Sequence, residues 1–175
     1  MEIRKAEKGD LGRITEIYND ILRTSTAIFS DRMVSLEERG AWWSARREKG
    51  YPVLVAFEDE RVMGFASFGD FRSSPGYRFT VEHTVHVDAA FRGRGVGSAL
   101  VTDLIEQARA AGKHVMVGGV DANNSASLRF HERMGFEQVG TFREVGYKFD
   151  RFLDLVFLQY WIGPSISVGQ SRQCV

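Results

Sequence analysis

The run Val85-His86-Val87-Asp88-Ala89-Ala90-Phe91-Arg92-Gly93-Arg94-Gly95-Val96-Gly97-Ser98 constrains this chain more than any other. Its first residues alternate as a strand does. After Gly97 the apolar residues Ala99, Leu100, Leu104, Ile105 and Ala108 recur at helical spacing. A loop of glycines and arginines therefore joins a strand to the start of an amphipathic helix. The backbone N–H groups of such a loop and the positive end of the helix converge on one point, which makes an anion site. Glycine at 93, 95 and 97 removes the Cβ atoms that would keep a phosphate from the backbone and permits positive φ, while Arg92 and Arg94 add charge. A pyrophosphate fits these demands.

Two familiar phosphate loops are excluded. No Gly-Lys-Ser/Thr ending supplies a lysine for a γ-phosphate or a hydroxyl for magnesium, which argues against a kinase or ATPase. The spacing of the glycines fails the dinucleotide fingerprint G-x-G-x-x-G, and no βαβ unit opens the chain. What remains, Arg-x-x-Gly-x-Gly at a strand-to-helix junction, resembles the acetyl-coenzyme A loop of the GNAT superfamily of N-acetyltransferases. Asn124 followed by Ser127, Leu128, His131, Gly135 and Phe136 is similar to that superfamily's second signature. The runs Thr80-Val81-Glu82-His83-Thr84-Val85-His86-Val87, Leu128-Arg129-Phe130-His131-Glu132 and Gly146-Tyr147-Lys148 resemble the phosphinothricin and methionine sulfoximine acetyltransferases most closely, within a likeness that spans residues 2–161. The resemblance implies the α/β GNAT fold, a mixed central sheet with a splayed strand pair and helices on both faces. It also implies acetyl-CoA as the acetyl donor.

At 175 residues the chain is expected to form one domain over 1–163, with 164–175 as a flexible tail holding the lone cysteine, Cys174, to which no catalytic role is assigned. Lys plus Arg balance Asp plus Glu at 23 each, so no global charge favours nucleic acid or a membrane surface. The first residues contain no apolar signal region and no long apolar stretch follows, which leads to the expectation of a cytoplasmic protein. The histidines at 83, 86, 114 and 131 lack a metal-ligand pattern, so no metal is expected.

Along the chain, a strand at 2–6 precedes a helix over 10–23, capped by Asp10, with Leu11, Ile14, Tyr18, Ile21 and Leu22 on one stripe. A second helix is predicted over 35–49, with Ser35 as cap, Glu38 completing a capping box and Trp42 inward. Strands at 53–58 and 61–69 flank a polar hairpin turn, and a loop covers 70–76. A strand over 78–88, a helix over 96–111, a strand over 114–120, a helix over 124–134 and strands at 136–147 and 152–161 complete an α/β sandwich with a mixed sheet.

Acetyl transfer from a thioester to an amine needs a base for the ammonium proton, polarisation of the carbonyl oxygen and a proton for the departing thiolate. Glu82 is the candidate base, and it matches the glutamate usually given that part in the resembling enzymes. Alternation puts Glu82, Thr84 and His86 on one face of the strand and Val81, His83, Val85 and Val87 on the other. The resemblance implies a β-bulge on this strand, splaying it so that backbone groups at Val85, Val87 and Asp88 pair with the pantetheine arm. His131, seven positions after Asn124, stands where many superfamily members have the tyrosine that protonates the thiolate; His86 is a secondary candidate. Asn124 N-caps its helix and, with Ser127 and the loop Arg92, Gly93, Arg94, Gly95, Val96, Gly97 and Ser98, is expected to hold the coenzyme. No cysteine is placed for a covalent route, so direct attack in a ternary complex is expected.

Arg72, Tyr77 and Arg78, with Phe71, give the mouth of the cleft positive charge and aromatic surface, which favours an anionic amino-acid analogue over a polycationic sugar. Ile28 and Phe29 form the side-chain wall. Phosphinothricin-acetylating relatives tend to have asparagine where this chain has Ile28, which favours a sulfoximine or sulfone. Thr84, Tyr147 and Lys148 complete the expected substrate residues, with Tyr147 and Lys148 acting from the C-terminal half or from the neighbouring subunit of a homodimer. Two other readings stay open: an acetyltransferase of peptide N-termini, and a silent acyl-CoA-binding module.

Overall fold

The computed structural model describes residues 1–163; the expected tail at 164–175, with Cys174, lies outside the described residues. Among the described residues, four α-helices and seven strands follow in the order β1 (Glu2–Lys5), α1 (Leu11–Thr24), α2 (Leu36–Glu48), β2 (Val53–Glu58), β3 (Arg61–Asp70), β4 (Thr80–Val87), α3 (Val96–Ala110), β5 (Val115–Asp121), α4 (Ser125–Arg133), β6 (Glu137–Lys148) and β7 (Arg151–Trp161). They build one sheet of order β1-β2-β3-β4-β5-β7-β6, antiparallel except between β4 and β5.

Both sheet faces are covered. On one, α1 sets Leu11, Ile14, Ile17 and Ile21 against Val53, Val55, Val62 and Phe65, with Trp42 of α2 half-buried beside them. On the other, α3 buries Val96, Leu100, Val101, Leu104, Ile105 and Ala108 against Leu54, Phe68, Val81, Met116 and Leu158. Every element predicted from the sequence is present, with ends that agree to within two residues. The Ser35–Glu38 capping box forms as expected, with Glu38 N–H donating to Ser35 Oγ at 3.1 Å and Ser35 N–H to Glu38 Oε2 at 2.8 Å.

Asp10 does not cap α1. Its carboxylate accepts both guanidinium nitrogens of Arg4 at 2.8 and 2.9 Å and the Glu7 N–H at 2.7 Å, a bidentate pairing that outcompetes a single cap bond. Burial opposes ionisation, but the Arg4 and Glu7 hydrogen bonds outweigh it and hold the carboxyl below the usual carboxylate range.

What positions the site is the behaviour of β4 and β5. Their parallel pairing covers only Thr80↔Val115, Val81↔Met116 and Glu82↔Val117. Beyond Glu82 the two strands part. β4 remains paired to β3 up to Val87↔Gly64, and β5 to β7 up to Asp121↔Leu155. The splayed pair is therefore present, but the expected bulge on β4 is not, since its register with β3 runs without a shift. The alternation of β4 is accordingly unbroken: His86 packs on Tyr18 and Phe65 toward α1, whereas His83 meets His131 and Phe136 toward α4.

Candidate active site

A cleft occupies the β4–β5 opening, lined by His83, Thr84, Val85 and His86 on one side and by Gly118, Gly119, Val120 and Asp121 on the other. Ala27, Asn124, Ser127 and His131 close its ends, and a solvent-open groove of about 1270 Å³ continues from it along the glycine-rich loop. Asp88 N–H donates to Met63 O at 2.9 Å. In an antiparallel ladder, the residues that bond across alternate with those that face away. The N–H groups of Val85 and Val87 therefore face the opening, and that of Asp88 does not.

The loop is built to receive an anion. Gly93 and Gly95 have φ of +76° and +80°, conformations that disfavour a side chain, and a Cβ at either would meet open space. Gly95 is the N-cap of α3 and gives it no side-chain cap, leaving the first N–H groups of the helix for a ligand. Gly97 serves differently. It lies inside α3, where a Cβ would sit 3.4 Å from the Phe130 ring. The two arginines diverge: Arg92 Nε donates to Val87 O at 3.3 Å, at the edge of the groove, while Arg94 pairs with Glu58 at 3.1 Å and stacks on Phe91. Asp88 is a structural cap, accepting Ala90 N–H at 2.8 Å and pairing with Arg13. Among the expected coenzyme residues, Arg94 and Asp88 thus have their side chains in ion pairs, and Arg92 has its own on a backbone carbonyl.

Glu82 stands in the last β4–β5 pair, one residue before the cleft-lining His83 and on the α2 face. Its Oε1 lies 3.7 Å from where a Cβ of Gly119 would be. Burial raises its pKa, and the nearby Arg46 works against that rise. Arg46 crosses directly over Gly69, the cross-strand partner of Glu82, where a Cβ would sit 1.6 Å from its Nη1.

His131 is buried on α4, and its Nδ1 lies 2.8 Å from the Ser127 carbonyl, which accepts a hydrogen bond from it. Nδ1 therefore carries the proton, and the neutral ring presents a bare Nε2. Burial lowers the pKa of His131 against the smaller opposite effect of that hydrogen bond. His86 is pushed down to about 4 by burial, with the Arg39 charge adding to the shift. Asn124 Oδ1 accepts Ser127 N–H at 3.1 Å and caps α4 as expected.

The expected substrate residues fall into three groups. Arg72 stacks on Phe71 and Tyr77 in the exposed loop before β4, whereas Arg78 turns back to Pro75 O and the Phe79 ring. Phe29 packs on Gly146, where a Cβ would lie 2.3 Å from its ring. Tyr147 is exposed on the outer sheet surface against Phe152, outside the cleft lining. Lys148 is no substrate ligand. It is fully buried, and its ammonium donates to the carbonyls of Leu22, Ser25 and Ile28 at 2.6, 2.8 and 2.8 Å. These are the C-terminal end of α1 and the wall segment after it, where orphan carbonyls and the helix dipole favour a cation. Lys148 thus positions Ser25, Ala27 and Ile28 rather than touching substrate.

Sequence reasoning missed Asp121, which is buried in the cleft wall, accepts a hydrogen bond from Thr26 and ties the wall to the Asn124 turn. It also missed Arg46 and the pair Gly118-Gly119. Two adjacent glycines inside a strand were a legible sign of close approach. Among the described residues no cluster of three or more His, Cys, Asp or Glu is arranged to hold a metal.

Comparison with known proteins agrees with this geometry. The model of the acetyltransferase (GNAT) family matches residues 14–136. The chain is 50% identical over 159 residues to an L-methionine sulfoximine/L-methionine sulfone acetyltransferase of Salmonella typhimurium, covering 91% of this chain and 93% of that one. It is 35% identical to a phosphinothricin N-acetyltransferase of Streptomyces coelicolor, covering 91% and 95%. The solved structure of a Salmonella typhimurium acetyltransferase with its cofactor acetyl-CoA superposes with a TM-score of 0.91 at 46% identity, covering 97% of this chain and 98% of that chain.

Lys148→Met keeps the apolar stem but leaves three carbonyls without their donor. Chemical denaturation should show a loss of about 3 kcal/mol or more, as expected for unsatisfied buried groups. KM for the amine should rise. Unchanged stability and KM would contradict the clamp.

Proposed function

Because this chain belongs to the acetyltransferase (GNAT) family, we propose that it transfers the acetyl group of acetyl-CoA to the α-amine of a small amino-acid analogue, a detoxification or resistance activity. The analogue is of the methionine sulfoximine or methionine sulfone type, with phosphinothricin as a poorer relative. The observation that carries this reading is the β4–β5 opening, continuous with the uncapped start of α3, with a half-buried carboxylate in the last strand pair before it, next to the cleft-lining His83 and Gly119.

The requirements of the reaction divide among the residues around the opening. The N–H groups at the start of α3, with Gly93, Gly95, Ser98 and Arg92, hold the diphosphate, and Asn124 and Ser127 flank the arm that runs into the opening. The N–H groups of Val85 and Val87 face that arm, and one of them polarises the acetyl oxygen. Acetyl-CoA supplies an activated carbonyl; the protein supplies position and proton traffic. Glu82 takes the ammonium proton, and its raised pKa makes it a better base than an exposed glutamate. His131, with its N–H committed to Ser127, serves as an acid only after taking a proton on Nε2, which burial opposes. Arg72, beside Phe71 and Tyr77, reads the anionic group of the substrate, and Ile28 and Phe29, which follow the cleft-lining Ala27 and pack on the α1 core and on Gly146, give that segment an apolar character suited to a methyl-bearing sulfoximine. No helix among the described residues is long and apolar enough to cross a membrane; the proposal places the enzyme in the cytoplasm.

It is also proposed to act as a homodimer. β6 is an edge strand, and Val139, Phe142, Val145, Tyr147, Phe149 and Phe152 on this hairpin are 51–63% exposed. An apolar edge of that kind needs a cover. Light scattering should report a dimer that Phe152→Glu converts to monomer; a monomeric wild type would overturn this part.

Thiol release with acetyl-CoA is the test of the reaction, run against sulfoximines, sulfones, phosphinothricin, alanyl peptides and aminoglycosides. Methionine sulfone and sulfoximine should give the highest kcat/KM. Preference for peptides, or tight coenzyme binding without turnover, would overturn the reading. Glu82→Gln should lower kcat about 10²-fold or more with little change in KM for acetyl-CoA. The base works only when ionised, so kcat should fall as pH drops through a midpoint above the ordinary glutamate value of 4.5. Arg46→Met should move that midpoint higher still, because it removes the charge that opposes the rise.

A further inference from the structure

His83 is buried in the wall of the cleft, and neither of its ring nitrogens has a hydrogen-bond partner among the described residues. Burying a polar group in that state costs about 1–3 kcal/mol. A fold that keeps one calls for an explanation. Its place is specific. His83 and Gly118 stand immediately above the last β4–β5 pair, Glu82↔Val117, at the point where the strands separate. A Cβ at Gly118 would lie 2.8 Å from His83 Nε2, so only glycine there admits the ring. The ring stands 5.2 Å from that of His131 and 5.1 Å from that of Phe136, on the sheet face opposite Glu82.

The two imidazoles of this face are not equivalent. His131 has given its N–H to the Ser127 carbonyl. His83 keeps one N–H and one bare nitrogen, both unengaged, and burial holds it neutral with its pKa pushed down to about 3. A neutral imidazole is a weak acid when it must end as an anion. It moves a proton readily when it gains one on one nitrogen as it gives one up from the other.

Resting on the acetyl-transfer reading, we propose that His83 is a catalytic residue that carries the second proton of the amine to the departing sulfur. Glu82 removes one proton from the substrate ammonium. The nitrogen then bonds to the acetyl carbon and the carbon–sulfur bond breaks. The proton still to be lost from nitrogen moves to the bare nitrogen of His83, and the proton on the other ring nitrogen moves to sulfur. The products are the amide and the free thiol. His83 ends neutral as its other tautomer, and Glu82 returns its proton to water.

Nitrogen-15 spectra of the histidine rings in the full-length protein, assigned with His83→Gln and His131→Gln, test the contact without turnover. Addition of CoA should shift the His83 nitrogens and leave those of His114, which stacks on Trp161 outside the cleft, in place. His83→Phe keeps a ring without nitrogens. It should lower kcat about 10-fold or more, with KM for acetyl-CoA and thermal midpoint near wild type. His83 resonances indifferent to CoA, or a wild-type kcat in His83→Phe, would overturn the role while acetyl transfer by the wild type stands. A wild type that acetylates no amine would remove both.

Discussion

Parallel pairing that stops after three residue pairs is the constraint on which the rest of this structure depends. β4 is held by seven pairs to β3, and β5 by seven to β7, so neither strand is free to close the gap above Glu82. The backbone groups along the inner edges of the gap are polar and half-enclosed, and such groups need partners. An elongated ligand with amide groups of its own satisfies them as a strand would. The pantetheine arm of coenzyme A has that character, and the α3 start lies where its diphosphate would follow.

The sheet also divides the chemistry. Because β4 alternates without a bulge, Glu82, Thr84 and His86 face α1 and α2, and His83, Val85 and Val87 face α3 and α4. The face toward α1 and α2, proposed to take the amine, holds a carboxylate tuned by burial and by Arg46. The face toward α3 and α4, proposed to take the sulfur, holds two neutral imidazoles. In the proposed reaction the first proton leaves on one face of the strand and the second is relayed on the other, and burial acts on both faces, raising a carboxylic acid and lowering an imidazole.

Local patterns were legible in the sequence, and distant partners were not. The glycine loop, the Ser35–Glu38 box, the Asn124 cap and the facing of Glu82 and His86 each depend on residues within a few positions of one another. Asp10 looked like a cap until Arg4, brought alongside by β1, claimed both carboxylate oxygens. Lys148 looked like a substrate ligand because its partners lie more than a hundred positions earlier and are backbone carbonyls, which leave no mark in composition. Arg94 was read with the loop that contains it, yet Glu58 at the β2 end holds it away. The Phe149-Asp150 turn has positive φ at both residues without glycine or asparagine, so its tightness had no local sign.

The central claim is that the β4–β5 gap is the seat of the acyl donor. The most direct measurement is the crystal structure of the protein with acetyl-CoA. The account requires the diphosphate against the first turn of α3 and the thioester sulfur between β4 and β5, on the side of His83 and His131. Coenzyme bound elsewhere, or a gap closed by continued β4–β5 pairing in the complex, would contradict it.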